Sequence, residues 1–401
     1  MGTSVMALSP LRPQAGRSLP GTALLAFALA LLAGCQLVPR AEGPAPLPGE
    51  AAAAADESDL PGPPLPPGET RNRVAILVPL TGPNAAVGRS VANAANLALA
   101  DSGSERIRLT AYDTARGPLL AVQQALAEGN GLFLGPLLAE DARAIAPLAS
   151  RAHVPVIAFS NDVSVAGEGV YVLGLNPAES IERAVGYARE RGLTRFGALL
   201  PTSIYGDRAG LALAGAVRRG GGQLVAVRSY ARTPETLRAA AEDLALQGPF
   251  DAVLIADGSR MAALAVPILR RAGAGLRIIG TELWTAEANL PDALRGAWFA
   301  GPSNRNFDAL RNRYRARYGA APYRLASLGY DAALLAARVA GQWPLGRRFP
   351  ARSLAAADGF SGVDGAFRFA RDGVAERALE VHEVTAAGTV TISVAPRDFG
   401  G

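Results

Sequence analysis

Residues 74–88 read VAILVPLTGPNAAVG. The run Val74–Leu80 is apolar without alternation, the pattern of a strand buried on both faces. Glycine and proline then break the run, and a helical stretch is expected from about Arg89 to Ala100. The same unit recurs along the chain. Strands are expected at Ile107–Asp113, within GLFLGP, at Val154–Ser160 and at Val170–Leu175. Helices are expected over LLAVQQALAEG, ending at Gly129, and over EDARAIAPLASRA, where Pro147 sits early or kinks the helix. A second series follows. Its helices are Ala178–Arg191, Asp207–Arg219, Thr233–Leu246 and Ser259–Arg271. Its strands are Arg195–Leu200, QLVAVRSY, Ala252–Ala256, Arg277–Gly280 and Trp298–Gly301. Two series of β-α units imply two parallel sheets covered by helices. The chain closes differently, with helices Asn306–Tyr318 and Ser327–Gly341 and short alternating strands near FRF, EVHEV and TVTISV.

Of the 401 residues, 49% are hydrophobic and 19% charged, too apolar for general disorder. All 40 basic residues are arginine. That excludes P-loop, Schiff-base and Ser-x-x-Lys chemistry. The two histidines (His153, His382) and the single Cys35 leave no means for a multi-cysteine zinc site, an iron–sulfur cluster or an internal disulfide. There is no G-x-S-x-G and no G-x-G-x-x-G after a strand, so neither a nucleophile elbow nor dinucleotide binding is supported. His153 and His382 read as buried or capping residues rather than catalysts. No catalytic residue, metal or cofactor is expected, and the chain reads as a non-enzyme.

The N-terminus reads as an address. Arg12 and Arg17 precede TALLAFALALLA, Thr22–Ala33, a run too short to span a bilayer and typical of a secretory signal. Leu32-Ala33-Gly34-Cys35 resembles a bacterial lipoprotein box. That resemblance implies removal of residues 1–34 and acylation of Cys35, and several acyl chains anchor firmly. Gln36 in place of aspartate resembles lipoproteins passed to the outer membrane, facing the periplasm. Removal of Arg12 and Arg17 lowers the formal charge from +5 to +3, a balance that does not suggest nucleic acid as a partner. Residues 35–70, rich in proline and alanine, are expected to be a disordered tether reaching about 100 Å at ~3.1 Å per residue.

From Val74 to about Val394 further fragments carry a resemblance. VAILVPLTGPNAAVG, the FLGP turn, VPVIAFSND, Tyr205-Gly206, GTELW, LASLGYDAALLA and FSGVDGAFRFARDG resemble type I periplasmic binding proteins. They are most similar to the lipoprotein branch of penicillin-binding protein activators, related to the leucine/isoleucine/valine receptors of ABC importers. The resemblance implies two Rossmann-like α/β lobes with parallel sheets in residues 71–401, joined by three crossovers. Lobe 1 would hold about 71–175 and 302–360; lobe 2 would hold about 176–300 and the C-terminal strands. The crossovers are expected near Leu173–Pro177, Gly296–Ser303 and Gly362. The main function implied is activation of a penicillin-binding protein in peptidoglycan synthesis. The alternative is a transport receptor with a small amino-acid-like ligand and an ABC permease as partners.

Ligands of open parallel sheets sit beyond the carboxyl ends of the strands, so the loops there supply the candidates: Thr81, Leu137, Leu138, Ser160, Asn161, Asp162, Tyr205, Asp257 and Glu282. Amino-acid receptors of the family hold the ligand carboxylate with a serine after the third strand. Leu137 and Leu138 stand there and offer only backbone N–H groups. Asp162, Asp257 and Glu282 are candidate ammonium partners, and Tyr205 would cover a ligand from lobe 2. Ser160 and Asp162 are equally the residue types of helix caps, Asp257 of a turn, and Tyr205 of lobe packing. In Asn306–Tyr318 the apolar residues Phe307, Leu310, Tyr314 and Tyr318 share a face. Arg311, Arg313, Arg315 and Arg317 read as a solvated face or, alternatively, an anion-binding patch.

Overall fold

The computed structural model describes residues 57–273, 275–287 and 289–396. The signal segment, Cys35 and the tether up to residue 56 lie outside them. The run at Val74 is β1, Asn72–Val78, buried at every position. Its neighbours are β2 (Ile107–Asp113), β3 (Asn130–Leu134), β4 (Val156–Ala158) and β5 (Val170–Val172), in the all-parallel order β2-β1-β3-β4-β5. Side chains alternate across the sheet. Val74, Ile76 and Val78 therefore enter one core with helix α1 (Ala85–Ser102), and Ala75 and Leu77 enter another with α2 (Pro118–Ala127) and α3 (Ala139–Arg151). Two layers of helix are what a strand without a wet face requires. Pro147 lies inside α3.

Lobe 2 repeats the scheme. Helices α4 (Pro177–Glu190) and α5 (Ile204–Arg219) cover one face of its sheet, and α6 (Pro234–Leu246) and α7 (Ser259–Ala272) the other. Its parallel strands are β6 (Arg195–Pro201), β7 (Gln223–Tyr230), β8 (Ala252–Ile255), β9 (Arg277–Ile279) and β10 (Trp298–Gly301). The same close approach begins both lobes. A Cβ on Gly88 would fall on the carbonyl of Pro79, and one on Gly206 on that of Pro201. Glycine thus lets the first turns of α1 and α5 sit against the strand ends that face the cleft.

After β10 the chain returns to lobe 1. Helices α8 (Asn304–Tyr318) and α9 (Ala326–Val339) join its core. A three-stranded antiparallel sheet follows, β11 (Phe360–Gly362), β12 (Gly365–Phe369) and β13 (Ala375–Arg377). The last strands, β14 (Glu380–Thr385) and β15 (Gly388–Ser393), add antiparallel to β10. The first two crossings lie at Leu173–Asn176 and Pro302–Ser303. The third does not lie at Gly362, as the resemblance implies, but at Ala378–Leu379. Phe360, Val363, Phe367, Phe369 and Ala375 all bury in the first core, so lobe 1 keeps the chain until β13 ends.

The tether needs a second correction. Residues 57–70 are not free but lie on lobe 1. Pro61 bridges to Arg347, the Gly62 N–H donates to the Gly346 carbonyl at 3.0 Å, and the Arg348 N–H to the Leu60 carbonyl at 3.0 Å. Arg347 Nη1 reaches the Asp59 carbonyl at 2.8 Å. Proline lacks an N–H, and an edge strand needs only alternate donors. The composition that argued against folding is therefore compatible with a strap. Gly129, at φ 81°, lets Pro64 pass over it. Gly129→Ala should cost about 1–3 kcal/mol and speed proteinase K cleavage within residues 57–70. Gly103→Ala, at φ 61° with open space around it, should lower the unfolding midpoint without exposing the strap.

Candidate ligand cleft

A cavity of about 350 Å³ opens between the lobes at the carboxyl ends of the strands. Lobe 1 supplies Leu137, Leu138, Phe159 and Asn161, and lobe 2 supplies Glu282, Leu283 and Thr285. Arg324 and Leu325 enter from the link between α8 and α9. The wall is mostly apolar with few polar groups, the usual composition of a small-molecule site.

The sequence candidates separate by what already holds them. Thr81 Oγ1 donates to Asp113 Oδ2 at 2.7 Å, tying the loop after β1 to the end of β2. Ser160 is buried, and its Oγ accepts from the Asp162 N–H at 3.0 Å. Asp162 accepts from the Ser164 N–H and Oγ, from Arg143 of its own lobe and from Arg208 of lobe 2. Burial works to raise its pKa, but Ser164 and the two guanidiniums outweigh that and hold it at about 2. Asp162 is thus a capping residue and a clasp between lobes, with no room for an ammonium. Asp257 is 1% exposed. It accepts from Tyr230 Oη at 2.8 Å, the Gly258 N–H at 2.8 Å, and Arg232 Nε and Nη2 at 3.2 and 2.9 Å. It too is spent within lobe 2.

Glu282 differs. It is 5% exposed, and Tyr205 Oη donates to its Oε1 at 3.0 Å. Its Oε2 has no partner among the described residues. Burial raises the Glu282 carboxyl to about 7, against the Tyr205 hydrogen bond, and the nearby Glu179 adds to the rise. Tyr205 also meets Thr281 Oγ1 at 2.9 Å. It orients Glu282 and lines a side cavity of about 290 Å³ with Leu138, Asp162 and Arg208. His382 lies buried in β14 against Phe299. His153 sits exposed at the exit of α3 with φ 53°, a conformation that caps a helix end.

Sequence reasoning passed over Arg143, Arg208, Arg324, Glu179 and Arg377. One arginine among 40 carries no local signal. Arg377 joins two crossings: its Nη2 and Nη1 donate to the Leu173 and Gly174 carbonyls, and its N–H donates to Glu179 Oε1 at 2.6 Å. Burial raises Glu179 to about 7, against the pull of Arg377.

A family model for periplasmic binding proteins matches residues 72–389. The chain belongs to that family. Its fold is shared with a chain from Rhodospirillum rubrum described as a candidate branched-chain amino acid ABC transporter. The TM-score is 0.70 at 21% identity, covering 80% of this chain and 100% of that one. It is also shared with an ABC transporter substrate-binding protein from Desulfitobacterium hafniense in complex with Leu. There the TM-score is 0.63 at 16% identity, over 80% of this chain and 100% of that one. An uncharacterised protein from Rickettsia prowazekii is 25% identical over 173 residues, 43% of this chain and 46% of that protein. The matched stretch thus spans about half of that relative's length. These structural neighbours are described as transport and binding proteins.

Acids raised by burial stabilise the fold where they hold protons that the unfolded chain releases. Glu179 and Glu282, each raised to about 7, contribute fully below their ordinary values near 4, and the buried Asp331, raised by burial and by Asp364 beside it, acts in the same direction. That contribution is lost as pH rises through 7. Asp162 contributes above about 4 and fails as pH falls through 2. The thermal midpoint should therefore be higher at pH 5 than at pH 8. Glu179→Gln should remove up to about 3 kcal/mol of that dependence, read from unfolding curves across the range.

Proposed function

We propose that the protein is the solute-binding receptor of an ABC transporter for a small apolar amino acid or a related carboxylate. The observation that carries this reading is Glu282 Oε2, buried in the wall of the interlobe cavity with no partner among the described residues. An unpaired buried acceptor is costly, and a ligand ammonium removes the cost. Of the three acids proposed for that role, only Glu282 keeps an oxygen free. Phe159, Asn161, Leu137 and Leu138 set the shape of the opposite wall, and Tyr205 holds Glu282 in place. Closure of the two lobes on the solute, followed by docking on a permease, is the mechanism that fits. The other reading, activation of a penicillin-binding protein, rests on the lipoprotein box and the loss of a serine at Leu137-Leu138. The relatives named above lend it no support.

Thermal shift and calorimetry against the L-amino acids test this reading. A ligand at 100 Kd stabilises by ~2.7 kcal/mol, and a flat response across the set would discard the reading. Glu282→Gln should weaken an amine-bearing ligand about 10- to 100-fold without destabilising the empty protein. In the wild type the affinity should rise with pH up to about 7 and fall up to tenfold per unit at lower pH, because the carboxyl must lose its proton to bind an ammonium.

Lipidation of Cys35 is a separate part of the proposal, placing the domain on the periplasmic face of a membrane, the outer one by the Gln36 signal. Among the described residues no helix is long and apolar enough to cross a membrane. Cys35→Ser should abolish incorporation of labelled palmitate and release the protein from the membrane fraction. Persistent labelling would sink the assignment.

A further inference from the structure

We propose that the cleft receives its ligand's carboxylate on the side edge of Arg324, not on the loop after β3. This rests on the receptor reading and adds to it the group that selects for acids.

The loop after β3 offers no hydroxyl. Leu137 and Leu138 bring no side-chain donor and line the apolar wall. Arg324 lines the same wall from the link between α8 and α9. Its side chain is 7% exposed. One end of the guanidinium is committed: Nη1 donates to Ser327 Oγ at 2.8 Å and lies 2.7 Å from Asp364 Oδ1. Its plane is held 4.4 Å above the Phe307 ring. Nε and Nη2 are buried and have no acceptor among the described residues. Those two nitrogens form one edge of the guanidinium, with parallel N–H bonds that match the two oxygens of a carboxylate. A buried donor without an acceptor is expensive, and two side by side on one rigid plane are more so.

The surroundings hold the group in place. Asp364 is fully buried and accepts from Ser327 Oγ at 2.7 Å. Its N–H donates to Asp331 at 3.1 Å, and the Val363 N–H donates to the same carboxylate at 2.6 Å. The network orients Arg324 from behind and leaves its edge unspent. Arg324 also borders a second, more polar cavity of about 580 Å³ that holds Arg311 and Arg315. Glu287 and Asp308 line it too, and Asp308 Oδ1 lies 3.0 Å from Arg311 Nη2, so part of that charge is already paired. Glu282, with its free oxygen, lies on lobe 2, and Arg324 belongs to lobe 1. A ligand bearing both an acid and an amine would bridge the lobes through opposite charges, so binding and closure would be one event.

The test compares L-leucine, L-isoleucine, L-valine, L-phenylalanine and 4-methylpentanoate, each beside its primary amide, by calorimetry on the full chain. Acids should bind about 10- to 100-fold tighter than their amides. Arg324→Lys, which keeps the charge and loses the two-pronged edge, should abolish most of that preference. Should this variant misfold, Arg324→Met with Asp364→Asn removes both members of the buried pair and leaves no uncompensated charge. A crystal structure with the tightest acid should place its carboxylate about 2.9 Å from Nε and Nη2. Acids that bind no better than amides, a preference that survives either variant, or a carboxylate seated on the backbone of Gly135–Leu138 would overturn this inference and leave the receptor reading standing. Failure of every acid and amide to bind would overturn both.

Discussion

A strand buried on both faces has no side chain left for solvent or ligand, so its chemistry is displaced to its ends. β1 shows this most fully, with no exposed position along its length. Parallel connection puts all carboxyl ends on one edge of each sheet, and three crossings bring two such edges together. The cleft follows from that constraint. Gly88 and Gly206 refine it, since only glycine lets the first turns of α1 and α5 lie against the proline carbonyls at the two strand ends.

Within the cleft, burial sorts charges into two kinds. Asp162 and Asp257 are surrounded by donors, and their role is to hold the protein together. Asp162 does so across the lobes, through Arg143 on one side and Arg208 on the other. Glu282 and Arg324 are equally removed from water but incompletely paired. An incompletely paired buried charge is tolerated when its partner arrives from outside. The hinge side follows similar rules. Arg377 binds the carbonyls of one crossing while its own backbone, at another, is held by Glu179. Glu179 also adds to the upward shift of Glu282, after burial, the main cause.

Much of the architecture was legible. The apolar run at Val74, the glycines after helices and the two successive β-α series are local patterns, and they located strands and helices within a few residues. Both misreadings concern contacts between segments far apart in sequence. The family resemblance implies a crossing near Gly362. Gly362 stays in lobe 1 because Phe360, Phe367 and Phe369 find their partners in the first core. Residues 57–70 looked like free chain because proline does not nucleate regular structure. They are held by carbonyls and N–H groups of Leu60, Gly62, Gly346 and Arg348, a pairing between segments far apart in sequence.

The sequence by itself determined the alternation of strand and helix and the apolar strands that demand two helical layers. Those properties depend on periodicity and punctuation over a dozen residues. Only the tertiary structure decided which charged groups are spent and which are free. Asp162, Asp257 and Glu282 are alike as letters. They differ because Arg208, 46 residues from Asp162, and Arg232, 25 residues from Asp257, fold back onto the first two, whereas the third receives a single tyrosine hydroxyl. Pairing is a property of distance in space, and chain order does not encode it.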